Sequence, residues 1–190
     1  MGFLHPPLPV KLFFGMLSPE PLLFDICIEI LSSEYGSIDY RSDTWPWDKT
    51  DYYRMEMGTG ILRKFIFCER LIDPAVLPSV KQFTNALENT FALPGVDKPR
   101  RRINLDPGYL TEAKVVLATT KDFSHRVYIG SEIYAEVTLR YSVSDRHFVP
   151  LDHTYPDYRS EEYISMFNKA RELLRKTLHT SSLGKTRLGE

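Results

Sequence analysis

The sequence has no long apolar run, only two cysteines and almost no net charge. Its apolar run over residues 12–17 is too short to span a bilayer, and the next one is interrupted by Asp25 and Glu29, so we expect no membrane span. Cys27 and Cys68 lie in apolar periodic segments, which favours buried reduced thiols and a cytoplasmic location. A formal net charge of -1 excludes a general electrostatic attraction to nucleic acid or anionic lipid.

The length and the order of the segments predict one domain. A chain of 190 residues can bury its own core, and we assign residues 9–179 to a single α+β domain. Residues 180–190 have little apolar content and are expected to form a disordered C-terminal tail. The alternation of strand and helix patterns predicts a mostly antiparallel sheet with three helices. Two arrangements stay open: a ferredoxin-like βαββαβ core with an added β-hairpin, or a duplicated βαββ core.

The apolar patterns also assign individual elements. The continuous apolar run from Val10 to Leu17 predicts a strand buried on both faces. A helix is expected to begin with Ser18 as its cap and to end at Gly36. Further elements are two strands at 52–57 and 61–71 joined through Gly58 to Gly60, a helix with an apolar stripe from Val76 to Phe91, a strand at 114–120, and a last helix opening at Ser160.

A late β-hairpin can be placed in register from its alternating side chains. If Gly130, Ser131 and Glu132 form a three-residue loop, Ile129 lies opposite Ile133 and the apolar residues share one face. The same register places Tyr128 opposite Tyr134. It also sets Arg126 opposite Glu136 as a cross-strand ion pair.

The segment Asp106-Pro107-Gly108-Tyr109 is typical of a tight turn. Proline suits an early turn position, and glycine accepts the positive φ of a type II turn. We expect this turn at the mouth of the principal pocket, beside a basic run and exposed tyrosines. The candidate ligand contacts are anion-binding Arg101, Arg102, Lys114 and Arg126, with Tyr109 and Tyr128 for stacking.

The leading hypothesis is therefore a cytoplasmic protein that binds a small ligand or a nucleotide. A first alternative is a hydrolase or transferase acting on a phosphorylated substrate, with Asp106, His125, Glu136 or His153 in acid–base roles. A second is an RNA-binding or protein-interaction domain, which would present the arginines and tyrosines as an open strip. No acidic or histidine cluster has the spacing of a specific metal site, and Gly184-Lys185-Thr186 lacks the remainder of a phosphate-binding loop. Cofactor and oligomeric state are left open.

Several short phrases resemble a known family when they are taken together. They are Val10-Lys11-Leu12-Phe13, Asp51-Tyr52-Tyr53, Asn104-Leu105-Asp106-Pro107-Gly108-Tyr109-Leu110, Lys114-Val115-Val116-Leu117-Ala118-Thr119, His125-Arg126-Val127-Tyr128, Ile133-Tyr134-Ala135-Glu136 and Tyr155-Pro156-Asp157-Tyr158. The chain resembles an uncharacterised prokaryotic domain-of-unknown-function family (family 4416) across nearly all of residues 9–178. Members are sometimes labelled GTP-binding proteins, but this chain carries no recognised nucleotide fingerprint. The resemblance thus implies a family and no mechanism.

Overall fold

A single open sheet forms the centre of the molecule. The computed structural model describes residues 2–47, 54–95 and 100–186, with the backbone alone for 54–55 and 181–186. Within these residues nine strands pair antiparallel in the order β2-β4-β1-β5-β6-β8-β7, with β3 beside β4 and β9 beside β8. The strands are β1 (Val10–Ser18), β2 (Ile38–Arg41), β3 (Trp45–Pro46), β4 (Leu62–Ile72), β5 (Asn104–Leu110), β6 (Lys114–Thr119), β7 (Val127–Gly130), β8 (Ile133–Ser142) and β9 (His147–Pro150).

Three long helices cover the two faces of this sheet. They are α1 (Pro21–Tyr35), α3 (Leu77–Phe91) and α4 (Glu161–Thr186), and a single helical turn, α2 (Arg54–Met57), lies between β3 and β4. Helices α1 and α3 share one apolar cluster with one face of the sheet, and α4 packs on the opposite face. The expected α+β class with a mostly antiparallel sheet and three main helices is confirmed.

Strand β1 contributes to both layers of the core, as its continuous apolar run predicts. Leu12 and Phe14 pack toward α1 and α3, whereas Phe13 packs with Phe65 and Phe167 on the α4 side. All five side chains are buried. Complete burial of one such side chain stabilises the fold by roughly 1.5–3 kcal/mol, so this central strand is a main source of stability.

Six elements, namely β1, α1, β2, β4, α3 and β5, follow the ferredoxin-like order. Strands β2, β4, β1 and β5 lie side by side in that order, and the connecting helices α1 and α3 pack on the same face. This is the βαββαβ arrangement. Strands β6, β8, β7 and β9 extend the sheet beyond β5, in the place of the expected added hairpin.

The segment expected to be a turn is the middle of a strand. Pro107 and Gly108 lie in β5 and pair with Phe14 and Phe13 of β1. The turn prediction at Asp106-Pro107-Gly108-Tyr109 is therefore wrong. Pairing along the whole length of β1 determines the extended conformation, which the local turn preferences of proline and glycine do not reveal.

Strands β5 and β6 separate at one end. They pair only from Gly108 to Leu110, whereas β6 stays paired with β8 as far as Thr119. Pro107 has no N–H to donate to a neighbouring strand, so the ladder loses a bond where the separation begins. We call this opening between the start of β5 and the end of β6 the fork.

Two other local expectations need correction. Residues 54–57 form the α2 turn and not a strand, and residues 52–53 of that expected strand lie outside the described residues. Helix α1 begins at Pro21 with Glu20 at the cap position and no side-chain cap. The hydroxyl of Ser18 accepts from the backbone N–H of Glu20, and the helix begins two residues later than a cap at Ser18 predicts. The helix ends at Gly36, with φ 98°, as expected.

The late hairpin confirms one part of its expected register and corrects another. Tyr128 pairs with Tyr134, with ring centroids 5.5 Å apart, and Arg126 contacts Glu136. The loop, however, has two residues, Ser131 and Glu132, with φ 53° and 61°. Gly130 then pairs with Ile133, so the expected pairing of Ile129 with Ile133 is wrong. Two positive φ angles are typical of a turn whose twist matches the flanking strands.

The last helix extends beyond the expected domain boundary. Helix α4 ends at Thr186, whereas residue 179 was the expected end of the domain. The extent of the domain itself stays a prediction. None of the helices in the described ranges combines the length and the apolar character needed to cross a membrane.

Candidate functional site

A cavity of about 420 Å³ opens at the fork. Its walls come from the separated ends of β5 and β6, from α3, and from the segment before α4. The lining residues are Trp47, Arg63, Lys81, Asn85, Glu88, Arg101, Asn104, Asp106, Leu117, Ala118, Thr119, Thr120, Lys121, Arg126, Glu136, Tyr155, Pro156, Asp157 and Tyr158. A cavity of this size suits a small organic molecule.

Arg63 of β4 is the most deeply buried cation of the cavity. Its side chain is 4% exposed, and its Nη2 donates to Oδ2 of Asp157 at 2.8 Å. The indole Nε1 of Trp47 donates to the same carboxylate oxygen at 3.1 Å. Asp157 therefore compensates the charge of Arg63 from one side of the guanidinium.

Two nitrogens of Arg63 and one neighbouring hydroxyl lack a hydrogen-bond partner within the described structure. Among the described residues, Nε and Nη1 of Arg63 and the hydroxyl of Tyr158 are buried without a hydrogen bond. The ring centroids of Phe65 and Tyr158 lie 5.2 and 5.9 Å from the guanidinium carbon and provide cation–π contact. The guanidinium also interacts with the Tyr163 hydroxyl and opposes the rise that burial causes in the pKa of that group. Burying such donors unpaired costs free energy, and both residues that carry them belong to the cavity lining.

Helix α3 provides the opposite wall by binding the free edge of β5. The backbone N–H of Leu105 donates to Oε1 of Glu88 at 2.6 Å, and Nζ of Lys81 donates to the Leu105 carbonyl at 3.0 Å. Lys81 also lies 3.4 Å from Oδ1 of Asp106. These two helical side chains take the backbone bonds that β6 would otherwise make, and they hold the fork open.

A chain of polar contacts links this wall to the basic run. Nη1 of Arg101 donates to Oδ1 of Asn104 at 2.6 Å, and Nδ2 of Asn104 donates to Oδ2 of Asp106 at 2.6 Å. Nε of Arg101 also lies 3.6 Å from Oε2 of Glu88, an ion-pair separation that is too long for a hydrogen bond. Asp106 is thus oriented from both sides.

Burial raises the pKa of Glu88 to about 7, and the smaller effects of Lys81, Arg101 and the Leu105 N–H oppose that rise. Near neutral pH this carboxyl is protonated for part of the time. Among the described residues the lining has five basic side chains and four acidic ones. The basic ones are Arg63, Lys81, Arg101, Lys121 and Arg126, and the acidic ones are Glu88, Asp106, Glu136 and Asp157. The cavity therefore has an excess of positive charge that grows when Glu88 is protonated.

The third wall contains the cross-strand ion pair expected from the hairpin. Arg126 donates through Nε to Glu136 at 2.8 Å, through Nη1 to the Lys121 carbonyl and through Nη2 to the Tyr155 hydroxyl. Both charged side chains are almost completely buried. Each of the three guanidinium nitrogens of Arg126 donates to a partner, so this side chain joins the hairpin to the Tyr155 segment.

The two candidate histidines lie behind this pair. His125 Nε2 lies 3.2 Å from Oε2 of Glu136, and the His125 ring stacks on His153 with centroids 4.4 Å apart. Nε2 of His153 contacts the Val137 carbonyl at 2.9 Å. Neither histidine is part of the cavity lining, but His125 shares a carboxylate with it.

The structure brings together only part of the candidate site. Arg101, Asp106, Arg126 and Glu136 line the cavity, and His125 and His153 lie next to it. Four other expected ligand residues lie outside the cavity lining. The arginines and tyrosines do not form one open strip, so RNA binding stays a prediction without support from the geometry.

Each of those four side chains has another environment. Arg102 forms a two-point ion pair with Glu20 outside the cavity. Tyr109 packs against the cluster under α3, on the other face of the sheet. Lys114 is exposed at the far end of β6, and Tyr128 is 61% exposed on the hairpin. Their placement as ligand contacts depended on the convergence of the hairpin with a turn at Asp106, and a strand stands where that turn was expected.

The residues that sequence reasoning missed left a signal of their own. Arg63 alternates with Phe65 and Phe67 in β4, so a charged side chain shares a face with two buried aromatic rings. Lys81, Asn85 and Glu88 are spaced by four and three residues on α3, which places three polar groups on one helix face. Both patterns indicate a buried polar site, although neither reveals that the two surfaces meet.

Among the residues that the structure describes, no group of three or more His, Cys, Asp or Glu side chains is placed to hold one ion. Asp48 and Asp51, two of the acidic residues near Trp47, lie outside the described residues. The side chains that line the cavity offer hydrogen bonding, ion pairing and proton transfer.

A family model for a domain of unknown function, DUF4416, matches residues 8–174. The chain belongs to this family. The DUF4416 match includes the whole of β1 to β9, and therefore both strands of the fork. The chain matches no curated protein and no solved structure at a significant level. Functional inference for this DUF4416 member rests on the geometry of its cavity.

Proposed function

We propose that the cavity at the fork binds a small anionic molecule, with Arg63 as the main anion contact and the Tyr158 hydroxyl as a second donor. A phosphate- or carboxylate-bearing metabolite fits this chemistry, and a nucleotide is one member of that class. The observation that carries the proposal is that Arg63 and Tyr158, two residues of the cavity lining, have buried donors without hydrogen-bond partners. An anion would satisfy Nε and Nη1 of Arg63 with charge-assisted hydrogen bonds.

Two further observations support an anion over a neutral ligand. The basic side chains of the lining outnumber the acidic ones, and the raised pKa of Glu88 increases this excess near neutral pH. Tyr155 and Tyr158 offer aromatic surface beside the donors, in place of the tyrosines expected from sequence. An enclosed site of low dielectric strengthens each of these interactions.

A cytoplasmic location belongs to the same proposal. Cys27 and Cys68 are free thiols in the core, and burial raises the pKa of each to about 12. Buried unreactive thiols are compatible with a reducing compartment, where most small phosphorylated metabolites occur.

The decisive experiment uses Tyr158→Phe, which removes one hydroxyl and keeps the ring. Because that hydroxyl has no partner in the described structure, the variant without ligand should be as stable as the native protein or more stable. Binding of inorganic phosphate or pyrophosphate, measured by calorimetry, should weaken by about tenfold, the effect of losing one hydrogen bond to a charged group.

Arg63→Lys and Arg102→Ala complete the test. Arg63→Lys keeps the positive charge and loses the planar donors, so the thermal shift produced by the same anions should largely disappear. Arg102 lies outside the cavity, so the Arg102→Ala variant should retain the full thermal shift with these anions. Equal anion shifts in the native protein and in folded Arg63→Lys would overturn the proposal.

One observation favours an enzyme as the second candidate function. Glu88, with its pKa near 7, lines the cavity opposite the proposed anion contact, and a group that titrates near the working pH suits general acid–base catalysis. We propose Glu88 ahead of His125 and His153 for this role in a hydrolase or transferase, because neither histidine lines the cavity. Turnover of phosphorylated compounds that is lost in Glu88→Gln would support it, and activity that is unchanged in this variant would contradict it.

A further inference from the structure

The α3 wall of the cavity contains one side-chain amide without a partner. Asn85 lines the cavity between Lys81 and Glu88, and its amide makes no hydrogen bond with any residue in the described ranges. An amide offers two donors and one acceptor. It is therefore suited to a neutral polar group that both donates and accepts, as a hydroxyl does.

Asp106, which Lys81 of this wall contacts, lies close to Arg63 in the sheet. Gly15 is the cross-strand partner of Asp106, and a Cβ at Gly15 would lie 3.0 Å from Nη1 of Arg63. Directly paired residues of an antiparallel sheet are about 4.5–5.5 Å apart at Cα. Arg63 of β4 and Asp106 of β5 therefore lie on the two strands that flank β1 and project on one face, so a ligand of a few carbon atoms can reach both.

The charges of the α3 wall argue against a positively charged partner. Asp106 is compensated by Lys81, and Glu88 lies near Arg101 and Lys81. No uncompensated negative charge is left at these described residues for an ammonium group. Carboxylate oxygens that have a cation on one side still accept hydrogen bonds from hydroxyl groups on the other.

We propose that the ligand is an anionic polyol, of which a sugar phosphate is the simplest example. Its anionic group contacts Arg63, and its hydroxyl groups contact Asn85 and Asp106. This inference rests on the proposed anion-binding function and adds the class of molecule. The aromatic side chains of Trp47 and Tyr155, which also line the cavity, provide apolar surface for the carbon skeleton.

Three matched probes separate the alternatives by calorimetry. Glycerol 3-phosphate, propyl phosphate and 3-aminopropyl phosphate share a phosphate and a three-carbon chain, and they differ in hydroxyl and amino groups. The native protein should bind glycerol 3-phosphate at least about tenfold more tightly than propyl phosphate, because a site that pairs with hydroxyls rejects analogues without them. Glycerate and propionate form the same comparison for a carboxylate and show which anion the site prefers.

Variants on α3 and β5 test whether the preference for hydroxyl groups comes from the cavity wall. Asn85→Ala should bring the ratio of the two phosphate affinities close to one, while propyl phosphate still binds. Asn89→Ala, one turn along the same helix and exposed, should leave the ratio unchanged. Asp106→Asn should reduce the ratio, because it removes charged acceptors beside the same hydroxyls.

The outcomes test the polyol inference separately from the proposed anion-binding function. If propyl phosphate binds through Arg63 with the same affinity as glycerol 3-phosphate, the polyol inference is wrong and anion binding stands. If 3-aminopropyl phosphate binds most tightly, the wall recognises an ammonium group and the inference is again wrong. If no probe binds in a way that depends on Arg63, the proposed anion site itself is overturned.

Discussion

Gly108 and Phe13 are cross-strand partners in such close contact that no larger residue fits at position 108. A Cβ at Gly108 would lie 2.5 Å from Cζ of Phe13 and 2.4 Å from the carbonyl oxygen of Val116. Neither distance occurs in a relaxed structure. The glycine is required for close packing beside the fork, and not for the positive φ of a turn.

Gly108→Ala should therefore destabilise the fold by about 1–3 kcal/mol or more, since overpacking shifts a buried ring and a backbone carbonyl. Urea unfolding at constant pH measures the loss as a lower midpoint with an unchanged slope. A double-mutant cycle with Phe13→Leu should give a favourable coupling energy, because the smaller side chain relieves part of the clash. A loss below about 0.5 kcal/mol would show that the strands separate freely at this point.

The raised pKa of Glu88 predicts a pH-dependent stability. In the folded protein this carboxyl titrates near 7, and its ordinary value is 4.5, so between these values the folded state holds more protons than the unfolded chain. The free energy of unfolding of the native protein should therefore fall, relative to Glu88→Gln, as pH rises from about 4.5 to 7, by up to about 1.4 kcal/mol per pH unit. The glutamine oxygen can still accept from Leu105. Parallel stability curves for the two proteins would contradict the burial of an ionisable Glu88.

The buried pair of Arg126 and Glu136 should matter far more than the exposed pair of Arg102 and Glu20. Glu136→Gln leaves a buried guanidinium without its counter-charge, and a loss at the lower end of about 3–5 kcal/mol is expected, since Arg126 keeps its bonds to the Lys121 carbonyl and to Tyr155. Glu20→Gln changes the same chemical group at an exposed pair and should have a much smaller effect. Thermal unfolding of both variants gives the comparison. Equal effects would mean that solvent reaches Arg126.

Tyr128 should prove dispensable for ligand binding. Its ring is exposed and contacts Tyr134 on the hairpin, outside the cavity. Tyr128→Ala should cost about 0.2–1 kcal/mol of stability, the contribution of a cross-strand aromatic pair. The affinity for inorganic phosphate per folded molecule should stay unchanged in calorimetry. Weaker phosphate binding in this variant would mean that the hairpin reaches the ligand after all.

Local sequence patterns predicted those elements that depend only on residues close together in the chain. The apolar run of β1, the stripe of α3 and the pairing of Tyr128 with Tyr134 each depend on residues a few positions apart, and each is present in the structure. The hairpin loop was predicted one residue too long. A bulge near Gly130 absorbs the extra residue without changing the faces further along the strand.

The sequence by itself determined the fold class, because the periodicity of apolar residues decides which segments become strands and helices. Only the tertiary structure decided that Pro107 and Gly108 lie in a strand, since pairing with β1 outweighs their local turn preference. The cavity likewise depends on contacts between residues far apart in the chain: Arg63 with Asp157, and Glu88 with Leu105. Such contacts leave no periodic signal, because the residues meet only after the sheet and its helices have packed.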